Sequence, residues 1–146
     1  PNVNGTDSYI IYKYDRNEIK EVGRTWSNTK FNGDGTVDVE SYMSFYDKND
    51  RYKYDKIKDE LVWEEIKEYE INVESKVLED ITIPGGTLKT GQLVKIRKAV
   101  VKDDCDKTGA YSWELCDEFY VVSDDGVEGW VTLEDMMGKI DLPLRP

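Results

Sequence analysis

Short apolar runs alternate with polar turns along the first half of the chain. In the segment 36–42, valines at 37 and 39 alternate with acidic residues at 38 and 40. This period of two predicts a strand with both valines on one face. The four preceding residues, Asn-Gly-Asp-Gly, are a strong turn signal because glycine and asparagine accept positive φ angles. We therefore predict a hairpin around this turn.

Further strands and turns are predicted on both sides of this hairpin. Residues 9–14 are rich in β-forming side chains, and a polar turn at 15–18 leads into a second strand. Another polar turn is predicted at 47–50. The run 61–69 fits both a helical face and a strand, and we favour a strand because its neighbours are strands. The pattern predicts an antiparallel β-meander over residues 1–69.

A short motif occurs twice in this first half. Tyr-Lys-Tyr-Asp stands at 12–15 and again at 52–55, a spacing close to the period of propeller blades. Two partial copies cannot close a propeller, so we interpret the motif as a repeated hairpin. The pattern resembles the blade-like β repeats of large Gram-positive surface proteins.

The second half resembles a known family over residues 71–135. The pieces that carry the resemblance are 71–73, 86–96, 113–115 and 126–131. Gly91 provides a turn before an apolar strand, and 126–131 is expected to form a closing hairpin followed by a short 3₁₀ turn at 133–135. In order and spacing these pieces are similar to a bacterial SH3 (SH3b) domain. The resemblance implies a small SH3-like barrel over residues 70–146.

The predicted fold class is therefore all-β, an antiparallel β-meander followed by a small SH3-like barrel. The net charge of the chain then excludes some classes of ligand. With 31 acidic and 20 basic residues, the chain has a formal charge of −11, which opposes binding to nucleic acid and to anionic lipid. No apolar run approaches the roughly 18 residues that span a bilayer, so membrane insertion is not predicted.

Several kinds of chemistry are excluded by residue type. The chain has no histidine, which excludes a histidine-activated nucleophile. Two cysteines without histidine also cannot form a structural zinc site of the usual kind. Its acidic pairs are interpreted as solvated surface, so we predict neither an enzyme nor a cofactor. The two cysteines, Cys105 and Cys116, could form one disulfide in an exported protein or remain ordinary thiols.

One segment partly resembles a calcium-binding loop. Residues 32–38 resemble part of an EF-hand loop, but that alignment places Lys30 at the first ligand position and Ser41 at the twelfth. A hairpin turn accounts for the segment better. The same reasoning applies to the acidic cluster Asp103, Asp104 and Asp106, so no metal site is predicted.

Aromatic residues give the remaining candidate site. In an SH3-like barrel, Tyr111 and Trp113 at the start of one strand and Trp130 in the adjoining hairpin could line a shallow groove. Such a groove suits the face of a peptide or a sugar. Alternatively, Trp113 and Trp130 are core residues that close a small barrel.

These features predict a non-catalytic extracellular binding or positioning module of a larger bacterial surface protein. Residues 1–8 are typical of the cut edge of a longer protein or of a mature end after processing. The expected partner is a cell-wall component or a protein or peptide. The alternatives are an accessory cell-wall-targeting domain of a peptidoglycan hydrolase and a purely structural spacer.

Overall fold

A computed structural model describes residues 8–26, 28–102 and 115–144. Within these ranges the chain forms antiparallel strands and one short helix. The elements are β1 (Ser8–Asp15), β2 (Glu18–Trp26), β3 (Asn28–Phe31), β4 (Thr36–Tyr42), β5 (Asp47–Asp55), β6 (Glu60–Trp63), β7 (Tyr69–Lys76), β8 (Ile81–Ile83), β9 (Gly86–Leu88), β10 (Leu93–Val100), β11 (Glu118–Ser123), β12 (Glu128–Thr132) and α1 (Leu133–Met136). The predicted all-β, antiparallel fold class is confirmed.

The chain divides into two compact units. The first comprises Pro1–Met43 and Asp47–Ile66, and the second comprises Ser44–Tyr46 and Lys67–Pro146. A tripeptide between β4 and β5 therefore belongs to the second unit, although both flanking strands belong to the first.

The first unit contains a two-stranded hairpin, β1–β2, and a four-stranded sheet in the order β3-β4-β5-β6. Arg16 and Asn17 both have positive φ angles, 46° and 71°, as a tight two-residue hairpin turn requires. Gly33 and Gly35, at 79° and 89°, shape the turn between β3 and β4. The turns predicted at 15–18 and 32–35 are therefore confirmed.

One carboxylate ties the β5–β6 turn of this unit to its hairpin. Asp59 accepts hydrogen bonds from the Tyr54 hydroxyl and from the ammonium groups of Lys13 and Lys20. The pKa of Asp59 lies well below its usual range, and the hydrogen bond from Lys20 is the largest cause. The cluster fixes the turn against the hairpin through charge-assisted hydrogen bonds.

The turn predicted at 47–50 is wrong. These residues open β5, and Asp50 is only 8% exposed. Its carboxylate accepts a hydrogen bond from the indole Nε1 of Trp63 at 3.0 Å and lies 3.2 Å from the Lys48 ammonium. A polar sequence typical of a turn can enter a strand here because the buried charge is paired. The strand predicted at 61–69 is confirmed for 61–63, whereas residues 64–68 lie outside the strands.

Buried and solvent-facing side chains alternate along β4 as predicted. Val37 and Val39 are buried, and Asp38 faces the other side, where both its oxygens accept hydrogen bonds from Arg51 at 2.6 and 3.0 Å. These bonds are the largest cause that lowers the pKa of Asp38 from 3.8 to about 2. The deprotonated carboxylate is therefore the form that the folded strand pair favours.

This pKa shift predicts that the natural chain is more stable than an Asp38→Asn variant, and that the difference in stability disappears in acid. Because the folded pKa is depressed, the stabilisation is present above about pH 4 and is lost as the pH falls through about 2. Urea midpoints of the two proteins should differ most above pH 5 and converge between pH 4 and pH 2. An Arg51→Met variant should show the same convergence, and a constant difference at all pH values would contradict the assignment.

The second unit has a four-stranded sheet in the order β12-β11-β10-β7 and a separate β8–β9 hairpin. Phe119 on β11 contacts the rings of Phe45 and Tyr46 at centroid distances of 4.9 and 5.6 Å. Aliphatic side chains complete the core around these rings. Its fully buried members include Val77, Leu88, Val94, Ile96, Val121 and Met136.

Several pieces of the predicted second half are found. The opening strand is part of β7, the apolar strand after Gly91 is β10, and the closing hairpin is β11–β12. In contrast, residues 133–136 form α1, capped by the Thr132 side chain, where a 3₁₀ turn was predicted. Leu115 precedes β11 and is not in a strand. Within the described residues the sheets do not close, so the SH3-like barrel is not confirmed.

Candidate functional site

Trp130 is the one predicted groove residue that lies within the described part of the chain. Tyr111 and Trp113 lie outside it. Cys105 also lies outside it, so the disulfide with Cys116 stays a prediction. The acidic cluster at 103–106 is outside the described residues as well.

Trp130 lies on the solvent side of the second unit's sheet. Its β12 neighbour Val131 is buried, whereas Trp130 is half-buried and points to the opposite face. Tyr120 is its direct partner across the β11–β12 pair, with ring centroids 5.3 Å apart at an interplanar angle of 65°. This edge-to-face geometry is favourable and holds both rings at the surface.

The strand register extends this pair into two rows that cross all four strands. We call these eight residues the outer face. The rows are Glu70, Lys98, Tyr120, Trp130 and Glu74, Lys95, Val122, Glu128. Successive residues on one face of a strand are about 7 Å apart, so the rows are adjacent on β11 and β12, whereas on β7 Asn72 lies between Glu70 and Glu74.

A cleft of about 380 Å³ opens beside the second row, where β10 begins and β11 ends. Leu93, Lys95, Val122, Asp124 and Glu74 are among its lining residues. Leu93 is 60% exposed, so an apolar side chain faces solvent at the mouth of the cleft. Apolar walls with polar groups at the rim are typical of ligand sites.

Charged groups of the outer face are partly paired. Lys95 lies 3.4 Å from Glu74, and Lys98 lies 3.0 Å from Glu68, whose carboxylate raises the pKa of Lys98. Partial burial and the nearby Glu128 carboxylate raise the pKa of the Tyr120 hydroxyl. The Tyr120 hydroxyl therefore stays protonated at neutral pH.

Metal ligation is not supported in the part of the chain that is described. No group of three or more acidic or cysteine side chains there is arranged to hold an ion. In the calcium-like turn, the Asn32 amide donates to Thr36 and Asp38, and Asp34 accepts the backbone N–H of Thr36. The turn's polar groups are therefore used to shape the hairpin.

A second apolar surface lies on the β1–β2 hairpin of the first unit. Ile10, Tyr12, Tyr14 and Ile19 are all exposed there. The charged pair between them, Glu21 and Arg24, is satisfied internally at 2.6 Å. This surface offers apolar contact but gives no indication of the chemistry of an occupant.

Tyr120 and the cleft residues were not predicted from the sequence. The available signal was the alternation along 118–123, in which Phe119, Val121 and Ser123 are buried and the residues between them are not. Recognising Tyr120 as the partner of Trp130 also requires the register of the hairpin, which the sequence does not specify by itself.

The helix in the described residues is too short and too polar to cross a membrane. No protein-family model, no curated protein and no solved structure matches this chain.

Proposed function

We propose that the chain is a non-catalytic binding module of a larger bacterial surface protein. The observation that carries this proposal is the solvent-facing Tyr120–Trp130 pair beside the 380 Å³ cleft. Aromatic side chains held rigidly at a surface bind with little loss of conformational entropy, and tryptophan and tyrosine dominate binding energy at interfaces.

The absence of histidine from the sequence supports a non-catalytic role. The resemblance to SH3b domains and to Gram-positive surface repeats supports an exported protein that contacts the cell wall. On this proposal the outer face binds the ligand, and the first unit positions the module within its parent protein.

A Trp130→Ala variant tests the proposal by co-sedimentation with purified Gram-positive cell walls. We expect the natural chain to sediment with the walls and the variant to lose at least about tenfold in affinity, the effect of removing an interface tryptophan. Because Trp130 is half-buried on the sheet surface, circular dichroism should show that the variant keeps its fold.

Trp26→Ala is the matched control, since Trp26 is an exposed tryptophan of the first unit. Its removal should leave sedimentation unchanged. Equal loss in both variants would assign binding to general hydrophobicity and contradict the site. A natural chain that stays in the supernatant would overturn wall binding and favour the structural spacer.

A wall-targeting accessory domain of a peptidoglycan hydrolase is the second candidate. The same surface supports it, because an aromatic pair beside a cleft also suits a stem peptide or a sugar ring. Binding to purified peptidoglycan free of proteins and wall polymers would favour this candidate over contact with a surface protein.

A further inference from the structure

We propose that the outer face binds an extended cationic peptide of a protein partner, with lysine or arginine side chains two residues apart. This inference rests on the proposed function and assigns the chemistry of its ligand. It follows from the charge, the apolar surface and the spacing of one face of the sheet.

Carboxylates outnumber ammonium groups at the end of the outer face beside the cleft. Glu74, Asp124 and Glu128 lie there with Lys95, which is 3.4 Å from Glu74, and with Lys76, which faces Leu93 across the β7–β10 pair. Neither Glu128 nor Asp124 has an ion-pair partner within 4 Å among the described residues. Arg97, in the β10 bulge, is a further exposed cation of this sheet.

The aromatic pair adds a second attraction for cations. An ammonium or guanidinium group over the face of tryptophan or tyrosine is attracted by the ring quadrupole. Glu128 lies two residues before Trp130 on the same face of β12, so a carboxylate stands beside the rings. A lysine side chain at this position would meet both a ring and a negative charge.

Apolar surface in the cleft suits the stem of such a side chain. Leu93 and Val122 provide walls for the methylene groups, while Asp124 lies at the rim for the charged end. Lysine and arginine bury their stems in this way while the charge stays hydrated.

The distance between residues along β11 relates the aromatic pair to the cleft. Tyr120 and Val122 lie two residues apart on β11, about 7 Å along the strand. Alternate side chains of an extended peptide have the same spacing. One cation can therefore lie at the aromatic pair and the next in the cleft.

The test is fluorescence anisotropy of the full chain with a labelled, end-blocked heptapeptide of alternating lysine and threonine. The control peptide carries acetyl-lysine in place of each lysine, which removes the charge and keeps the stem. We expect the lysine peptide to bind and the acetylated peptide to show no measurable binding.

Charge-removing variants locate the contact. Glu128→Gln and Asp124→Asn should each weaken binding by about three- to fivefold, the effect of one exposed ion pair. Glu40→Gln, an equal charge change on β4 of the first unit, should stay within about twofold. Equal weakening by Glu40→Gln would reveal general attraction to an acidic chain and overturn the proposal, as would equal binding of the acetylated peptide.

The wall experiment separates the two proposals. A chain that sediments with walls through Trp130 but ignores the lysine peptide keeps the proposed function and overturns the cationic ligand. Peptide binding that depends on Glu128, without any sedimentation, supports the cationic peptide and removes the wall as the ligand.

Discussion

Replacing Phe45 with alanine is expected to lower the free energy of unfolding by about 3–5 kcal/mol, the range for large aromatic truncations in a core. Phe45 is 1% exposed, and its ring contacts Phe119 at a centroid distance of 4.9 Å. Removal would leave a cavity beside Phe119 and Tyr46, which rigid β-sheet surroundings can fill only in part. The loss should appear in the second unit, to which residues 44–46 belong.

Urea denaturation followed by circular dichroism measures this loss, and hydrogen exchange locates it. Amides of β10 and β11 should lose protection in Phe45→Ala, because these strands form the sheet beneath the ring. Phe31→Ala is the matched control, since Phe31 is 59% exposed on β3 and should cost no more than about 0.5 kcal/mol. Similar losses in the two variants would contradict the placement of Phe45 in the core.

Much of the strand pattern could be predicted because its signals are local. The turn at Arg16 and Asn17 and the turn at Gly33 and Gly35 use residues that tolerate positive φ angles. The alternation of Val37 and Val39 with acidic residues specified which side of β4 is buried. In each case a few neighbouring residues contain all the information that the prediction needs.

Predictions failed where a distant partner changes the outcome. The sequence 47–50 is as polar as a turn, yet Asp50 becomes buried because Trp63 and Lys48 satisfy its carboxylate. The core role of Phe45 depends likewise on Phe119, more than 70 positions later in the chain. Local propensity does not report such contacts.

The candidate site shows the same division. The sequence left Trp130 open as a groove residue or a core residue; the structure places it half-buried on the solvent side of the sheet, and its partner Tyr120 comes from the neighbouring strand. The outer face exists only through the register of four strands, which turns scattered residues into two rows. The composition indicated an acidic protein, whereas the strand register shows which acidic side chains, such as Glu128, lie beside the aromatic pair.

A Gly85→Ala substitution is expected to destabilise the chain by about 3 kcal/mol through a steric clash. Gly85 lies in the turn between β8 and β9, and a Cβ atom there would stand 1.9 Å from the backbone oxygen of Glu128. A carbon and an oxygen that are not bonded cannot stand this close. Because the oxygen belongs to the backbone, it cannot move aside by a side-chain rotation. Either the β8–β9 hairpin or β12 must move, which disturbs the packing of Ile83 against Gly129.

Gly126→Ala separates this clash from ordinary loss of glycine flexibility. Gly126 has a φ angle of 88° with no atom within 4 Å of the added Cβ, so its cost is conformational alone, about 1 kcal/mol. Urea midpoints of the two variants should therefore differ clearly, and amides of β12 should exchange faster only in Gly85→Ala. If both variants unfold at the same urea concentration, the close approach of the β8–β9 turn to Glu128 is wrong. The position of Glu128 on the outer face, which the cationic-peptide proposal requires, would then have to be reassigned.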